Sequence, residues 1–191
     1  IRDVGYELYQ SMLEETISKI RGGQIDVLTS MDNQWSPQIN LGVSVLIPEA
    51  YVADLDVRLG LYRRLSNLSK KVEFEGFAAE LIDRFGKLPP EVNTLLLVVR
   101  IKSICKKAGI GKLDGGPKGA TIQFHNDKFI SPEGLVEFIK KQNGLAKIKD
   151  NKLIIKRDWK KNSDKFKGAF SIARDLAEIA ASYQNNSPAK N

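Results

Sequence analysis

Residues 110–125 read IGKLDGGPKGATIQFH, and they decide the fold class because helical patterns give way to strand patterns here. The segments Ile110 to Leu113 and Ala120 to His125 flank a GGPKG stretch of turn formers, which predicts a β-hairpin. A phosphate loop fits poorly, because Gly-Lys-Ser/Thr should open a helix there. Here the lysine precedes the last glycine and a β pattern follows. The stretch therefore begins a strand-rich second half.

The residues that follow predict a short helix, a second hairpin and a final helix. Ser131-Pro132 opens the short helix, which runs to about Gln142. Ala146 to Lys149 and Lys152 to Lys156 form the hairpin around Asp150-Asn151. The final helix is capped by Ser163, and one apolar stripe follows it: Phe166, Phe170, Ala173, Leu176, Ala177 and Ala180.

The residues that precede the first hairpin predict helices and one strand. Asp3 caps a helix that runs to about Arg21, and residues 24–38 form a linker. The alternation from Ile39 to Val45 predicts a half-buried strand. Three helices then cover 54–68, 69–85 and 88–109.

The apolar positions of two of these helices predict their buried sides. The helix that Asp54 caps buries either one row or the next, and both readings stay open: Leu55, Leu59 and Tyr62, or Val57, Leu61 and Leu65. The following helix is expected to bury Phe74, Phe77, Ala78, Leu81, Ile82 and Phe85.

Helices and strands are segregated along the chain, which predicts an α+β fold and not a doubly wound sheet. The first half is rich in helices and has one strand, while the second has two β-hairpins, a short helix and a long C-terminal helix. The boundaries place an end helix at 1–23, a linker at 24–38, a domain at 39–183 and a disordered tail at 184–191. Because the chain begins at Ile1 inside an amphipathic pattern, we interpret it as a fragment.

The composition argues against catalysis and against metal binding by this chain. Of 191 residues, 42% are hydrophobic, which suffices for a core. Cys105 is the only cysteine, which favours a reducing compartment, the cytoplasm. Its position in a helical run favours a buried structural thiol over a nucleophile paired with His125, the only histidine. One His and one Cys cannot form a zinc site, and no cofactor site is evident, so we expect no enzyme in this fragment. An unrecognised hydrolase would need a pocket with a perturbed carboxylate.

The positive charge is concentrated between Lys140 and Lys167, which hold eleven Lys/Arg and three Asp against a net charge of +7 for the whole chain. Such a segment could meet DNA, RNA or an acidic protein face, or it could be a solvated surface. As a nucleic-acid module it would make salt-sensitive phosphate contacts without sequence readout. The candidate contact residues are Lys147, Lys149, Lys152, Lys156, Arg157, Lys160 and Lys161.

The ELIDRFG segment at 80–86 carries the most informative polar pattern. Glu80, Asp83 and Arg84 stand at i, i+3 and i+4, which places them on one side of a helix. The pattern fits an ordinary amphipathic helix with an internal Glu80–Arg84 pair. It also fits a mixed-charge patch that docks on another domain.

Three segments extend this interpretation through a resemblance. VGYELYQSMLEETI at 4–17 resembles the helix that closes the second motor lobe of RecG-like translocases. LIPEAYVADLDVRLGLYRRL at 46–65 and AELIDRFGKLPPEVNTLL at 79–96 resemble the C-terminal domain of the bacterial transcription-repair coupling factors. The resemblance covers about residues 1–183 and is weaker over 140–183.

The resemblance implies a regulatory role in an ATP-driven translocase on double-stranded DNA. Such a protein displaces stalled RNA polymerase and recruits UvrA in nucleotide excision repair, using ATP and Mg outside this fragment. In this family the C-terminal domain masks the N-terminal UvrA-binding module of the same polypeptide and restrains the motor. Carried onto this sequence, Glu80, Asp83 and Arg84 would contribute to the masking surface.

Overall fold

The computed structural model describes residues 35–43 and 46–186. The predicted helix at 1–23, most of the linker and residues 187–191 of the tail lie outside the described residues. The described part divides into two compact units, one of 35–36 and 46–96 and the other of 37–43 and 97–186.

The first unit is helical. Helix α1 spans Leu55–Ser66, helix α2 spans Lys71–Phe85, and helix α3, Pro90–Lys107, contributes its first residues. The predicted cap of α1 is confirmed, since the Asp54 carboxylate accepts a hydrogen bond from the Val57 backbone N–H at 2.9 Å.

The segment before α1 is held to both helices by side-chain hydrogen bonds. The Tyr62 hydroxyl accepts a bond from the Ile47 backbone N–H at 2.6 Å. The Tyr51 hydroxyl lies 3.0 Å and 2.9 Å from the carbonyl oxygens of Leu81 and Gly86. The Ile47 N–H and the Gly86 carbonyl lie outside the helices and strands, so side-chain hydroxyls satisfy them in place of secondary structure.

The buried rows of α1 and α2 correct two details of the sequence prediction. In α1 the buried residues are Leu59, Leu61 and Leu65, which combines one residue of the first row with two of the second. Leu55 is exposed, because it stands in the first turn. In α2 the buried residues are Phe74, Phe77 and Leu81. Ile82 was predicted to face inward but is 50% exposed, because it lies about 100° around the helix from Leu81.

The second unit contains a five-stranded mixed sheet with the order β1-β2-β3-β5-β4. Its strands are β1 Gln38–Asn40, β2 Ile110–Gly116, β3 Gly119–Phe124, β4 Ala146–Lys149 and β5 Lys152–Lys156. Both predicted hairpins are confirmed as antiparallel pairs, β2 with β3 and β4 with β5. The β4–β5 turn uses Asp150 and Asn151 at φ 52° and 58°, the left-handed conformation that tight hairpins favour.

Strand β1 corrects the predicted strand over Ile39 to Val45. It ends at Asn40 and pairs in parallel with β2, Ile39 opposite Leu113. Gly42 follows with φ +68°, a conformation that takes the chain out of the strand.

Two helices complete the second unit. Helix α4 spans Pro132–Lys141 and begins as predicted, with the Ser131 hydroxyl accepting a bond from the Gly134 N–H. Helix α5 spans Asn162–Asn186, so Ser163 lies inside the helix and is not its cap, and the helix continues into the segment predicted as tail. The core of this unit is formed by buried residues of the sheet and of helices α3 and α5. They are Leu113, Ile122, Leu153 and Ile155 in the strands, Ile101 and Cys105 in α3, and Ala173 and Leu176 in α5. The α+β fold class with a long C-terminal helix is thus confirmed.

Candidate docking surface and basic sheet face

Glu80 on α2 is the centre of an ion-pair cluster in the first unit. Its carboxylate accepts two hydrogen bonds from Arg64 of α1, at 2.7 Å and 2.5 Å, and one from Arg84 at 3.0 Å. The Glu80–Arg84 pair agrees with the sequence prediction. Arg64 was missed, because it lies on another helix and no local spacing connects the two.

The two arginines fix the charge state of Glu80. Hydrogen bonds first from Arg64 and then from Arg84 lower its pKa to about 2, and the same bond raises the pKa of Arg64. Each guanidinium also lies over an aromatic ring, Arg64 at 5.2 Å from the Phe77 centroid and Arg84 at 4.9 Å from that of Phe85. Hydrogen bonds to Glu80 and contacts with the two rings therefore hold both arginine side chains in place.

Asp83 differs from Glu80 in having no cationic partner within 35–43 and 46–186. Its side chain is exposed, and among the residues described it takes part in no ion pair. Glu80 is neutralised inside the unit, whereas Asp83 offers an uncompensated negative charge to solvent. Of the three residues predicted for docking, Asp83 is thus the one available to a cationic partner.

An exposed stripe of small and apolar residues runs along α2 beside this cluster. We call it the α2 stripe: Val72, Gly76, Ala79 and Ile82. Val72 is 68% exposed and Ile82 50%, and Gly76 and Ala79 are also exposed. An apolar centre with charged residues at its edge is the usual composition of a protein–protein interface. The sequence prediction missed this stripe because it placed Ile82 in the core.

The lysines predicted for nucleic-acid contact divide into two groups in the second unit. Lys152 and Lys156 in β5 alternate with the buried Leu153 and Ile155, which places them on the outer face of the sheet. The register places Lys147 and Lys149 of β4 on the same face, opposite Ile154 and Lys152. All four lysines are exposed. Lys112 of β2, which the sequence prediction did not include, lies in the same cross-strand row as Lys152.

Arg157, Lys160 and Lys161 follow the end of β5 and are not part of this face. The Arg157 guanidinium donates hydrogen bonds to the Gln142 side chain and to the Lys156 carbonyl. Lys160 pairs with Asp158 at 3.4 Å, and the Lys161 backbone N–H donates to Asp164 at 3.3 Å. These residues support the connection to α5.

The other features that could indicate a catalytic or metal site are Cys105, one surface depression and any group of metal-binding side chains. Cys105 is fully buried, as expected, and burial raises its pKa to about 12, which keeps the thiol protonated. An open depression beside the β2–β3 turn is lined by Pro117, Lys118, Leu145, Lys156, Arg157 and Asp158. Its one carboxylate, Asp158, is paired with Lys160.

Within 35–43 and 46–186 no three His, Cys, Asp or Glu side chains are grouped so as to hold a metal ion. No helix in this part has the length and apolar character to cross a membrane.

Comparison with known proteins gives consistent matches. The TRCF domain family model matches residues 41–135. The transcription-repair-coupling factor of Rickettsia conorii is 46% identical over 155 residues, 81% of this chain and 13% of the relative. That of Escherichia coli K12 is 32% identical over 139 residues, 73% of this chain and 12% of the relative.

A solved structure agrees with these matches at the level of the fold. The crystal structure of a C-terminal domain of transcription-repair coupling factor superposes with a TM-score of 0.65 at 22% identity, covering 80% of this chain and 99% of that one. This chain spans only about 13% of the length of the Rickettsia conorii relative and 12% of that from Escherichia coli. The sequence matches, together with the α+β fold, place this chain in the transcription-repair coupling factor family, as its C-terminal domain.

Proposed function

We propose that this chain is a non-catalytic, autoinhibitory domain of its coupling factor, located in the cytoplasm. It masks the UvrA-binding module of the same polypeptide through α2 and restrains the DNA translocase motor. On this proposal, other parts of the intact protein bind ATP and Mg²⁺, contact RNA polymerase and move along double-stranded DNA. The supporting observation is the exposed side of α2, where the α2 stripe lies beside Asp83 and the Glu80 cluster.

The composition of this surface suits a contact that must open and close. Gly76 and Ala79 are small, and Val72 and Ile82 are already partly buried, so the α2 stripe provides limited hydrophobic driving force. A charge such as Asp83 at the edge of an interface gives specificity and speeds association more than it adds affinity. A mask of this kind can be displaced when the motor engages its substrate, because the coupling between two states is usually only about 1–3 kcal/mol.

The proposal is tested by measuring binding between this chain and the separately produced UvrA-binding module with isothermal titration calorimetry. Asp83→Arg is the cleanest perturbation, because it breaks no ion pair inside the described part of the domain. It should weaken binding by about tenfold, equivalent to about 1.4 kcal/mol. The double change Glu80→Arg/Asp83→Arg should abolish detectable binding.

Glu137→Arg is the matched control, because Glu137 is an exposed acid on another helix, α4, and is in no described ion pair. The control should bind like the unmodified chain. Equal affinities for Asp83→Arg and the unmodified chain would show that the docking surface lies elsewhere. In the intact coupling factor, Asp83→Arg should also raise UvrA binding and ATP hydrolysis in the resting state.

A further inference from the structure

We propose that the outer face of the five-stranded sheet binds the sugar–phosphate backbone of double-stranded DNA without reading its sequence. This surface belongs to the second unit and shares no residue with the α2 stripe, so the inference does not depend on the masking function. It is argued from the strand register, from the charge on the face and from the positions of its lysines.

The register aligns the basic side chains in adjacent rows. Lys112, Gln123, Lys152 and Lys149 follow one another across β2, β3, β5 and β4, with Gln38 of β1 beyond Lys112. The next row holds Asp114, Thr121, Ile154 and Lys147. Neighbouring strands are about 4.8 Å apart and alternate residues about 6.7 Å apart, so the lysines form a compact array.

Little on this face neutralises its charge. Asp114 is the one acidic residue in the two rows named above, and its carboxylate pairs with the Lys112 ammonium group at 3.3 Å. Lys147, Lys149, Lys152 and Lys156 are in no ion pair within the described part of the chain. Lys149 and Lys152 stand directly opposite each other, an arrangement of like charges that destabilises a sheet. A polyanion bound on the face would remove that repulsion.

The distribution of the lysines is broader than edge protection requires. Lysines on an exposed edge strand prevent unwanted strand pairing, and this accounts for Lys147 and Lys149 in β4. It does not account for Lys152 and Lys156, because β5 is paired on both sides. Edge protection therefore does not explain the lysines of β5, whereas a ligand with many negative charges would.

The side chains of the face favour nucleic acid over an acidic protein. Protein interfaces take most of their binding energy from aromatic and arginine anchors, and the two rows contain neither. Lysine and neutral polar side chains such as Thr121 and Gln123 are those that contact phosphates and sugars. Without an aromatic platform or a helix for the major groove, sequence readout is not expected.

Fluorescence anisotropy of a labelled DNA duplex, titrated with the whole chain over a salt series, tests the proposal. If about four phosphates are neutralised, the slope of log K against log salt should be about −3.6, a loss of about 150-fold between 50 and 200 mM salt. The outer-face variant carries Lys→Gln at Lys147, Lys149, Lys152 and Lys156. It should lose at least about tenfold in affinity at low salt, and its slope should approach zero.

A second quadruple variant separates this surface from net charge. It carries Lys→Gln at four exposed lysines off the sheet, Lys128, Lys140, Lys141 and Lys167, and so has the same net charge as the first. It should bind DNA like the unmodified chain, and circular dichroism melts should show both variants folded. The proposal is overturned by equal losses in both variants or by no DNA binding at low salt. Equally tight binding of a labelled poly-glutamate would overturn it in favour of an acidic protein partner.

Discussion

Gly76 provides a test in which stability and docking should change in opposite directions. It lies in the middle of α2, and a Cβ added there would meet no atom within 4 Å. Glycine in a helix interior costs about 0.8–1.0 kcal/mol relative to alanine, since it loses more backbone entropy on folding. Gly76→Ala should therefore raise the free energy of unfolding by about 0.5–1 kcal/mol, which corresponds to about 1–4 °C in Tm.

The same substitution should weaken docking, because Gly76 lies within the α2 stripe. A partner packed closely against this glycine would have to move to admit a methyl group, and overpacking typically costs about 1–3 kcal/mol. The affinity for the UvrA-binding module should therefore fall by about 5- to 150-fold even as the domain becomes more stable. Unfolding in urea and calorimetric binding measure the two effects on the same protein.

Gly60 supplies the matched control. It lies in the interior of α1, and a Cβ there would also meet nothing within 4 Å. Gly60→Ala should stabilise the chain by the same about 0.5–1 kcal/mol and leave docking unchanged. If Gly76→Ala stabilises the chain without affecting the affinity, the α2 stripe is not a close contact. If neither substitution stabilises it, the helix argument fails.

Two further predictions follow from the pKa shifts. The pKa of Glu80 is held at about 2 in the folded chain, below its unfolded value. The ionised Glu80 therefore contributes fully to the free energy of unfolding above about pH 4.5, and this contribution is lost as the pH falls towards 2. Because the side chain is about one-third exposed, the contribution is about 1 kcal/mol or less, and Glu80→Gln should remove it from urea midpoints measured over this range. Cys105, with a pKa of about 12, should have a thiolate fraction of about one in ten thousand at pH 8. It should react with a thiol reagent only in urea, and rapid reaction of the native chain would contradict its burial.

The sequence predicted those features that depend on neighbouring residues. The caps at Asp54 and Ser131 follow from a side chain that reaches an N–H three residues ahead. The β4–β5 hairpin follows from Asp150-Asn151, which tolerate positive φ. The α+β fold class could be predicted for the same reason, because each helix or strand has its own hydrophobic periodicity in the sequence.

Features that depend on contacts between distant segments could not be predicted in this way. The parallel pairing of β1 with β2 joins residues more than 70 positions apart, and no local pattern encodes it. The bond from Arg64 to Glu80 depends on how α1 and α2 pack. Ile82 was misplaced because apolar character marks a buried side as readily as a docking surface. The sequence alone therefore named Glu80, Asp83 and Arg84 and four of the sheet lysines, but it missed Arg64, Lys112 and the α2 stripe. It also included three residues that lie off the sheet face: Arg157, Lys160 and Lys161.

The two proposed surfaces should differ most clearly in their response to salt. On α2 the Arg64 and Arg84 guanidinium groups surround the single carboxylate of Glu80, so the cluster is positive by about one charge and lies beside the negative Asp83. Docking there should weaken only slightly with salt, because a single exposed pair contributes about 0.2–1 kcal/mol. The sheet face presents four lysines that are in no ion pair with the residues that the structure describes, and its DNA affinity should fall steeply with salt. A steep salt dependence for binding of the UvrA-binding module would place that contact on the sheet face and not on α2.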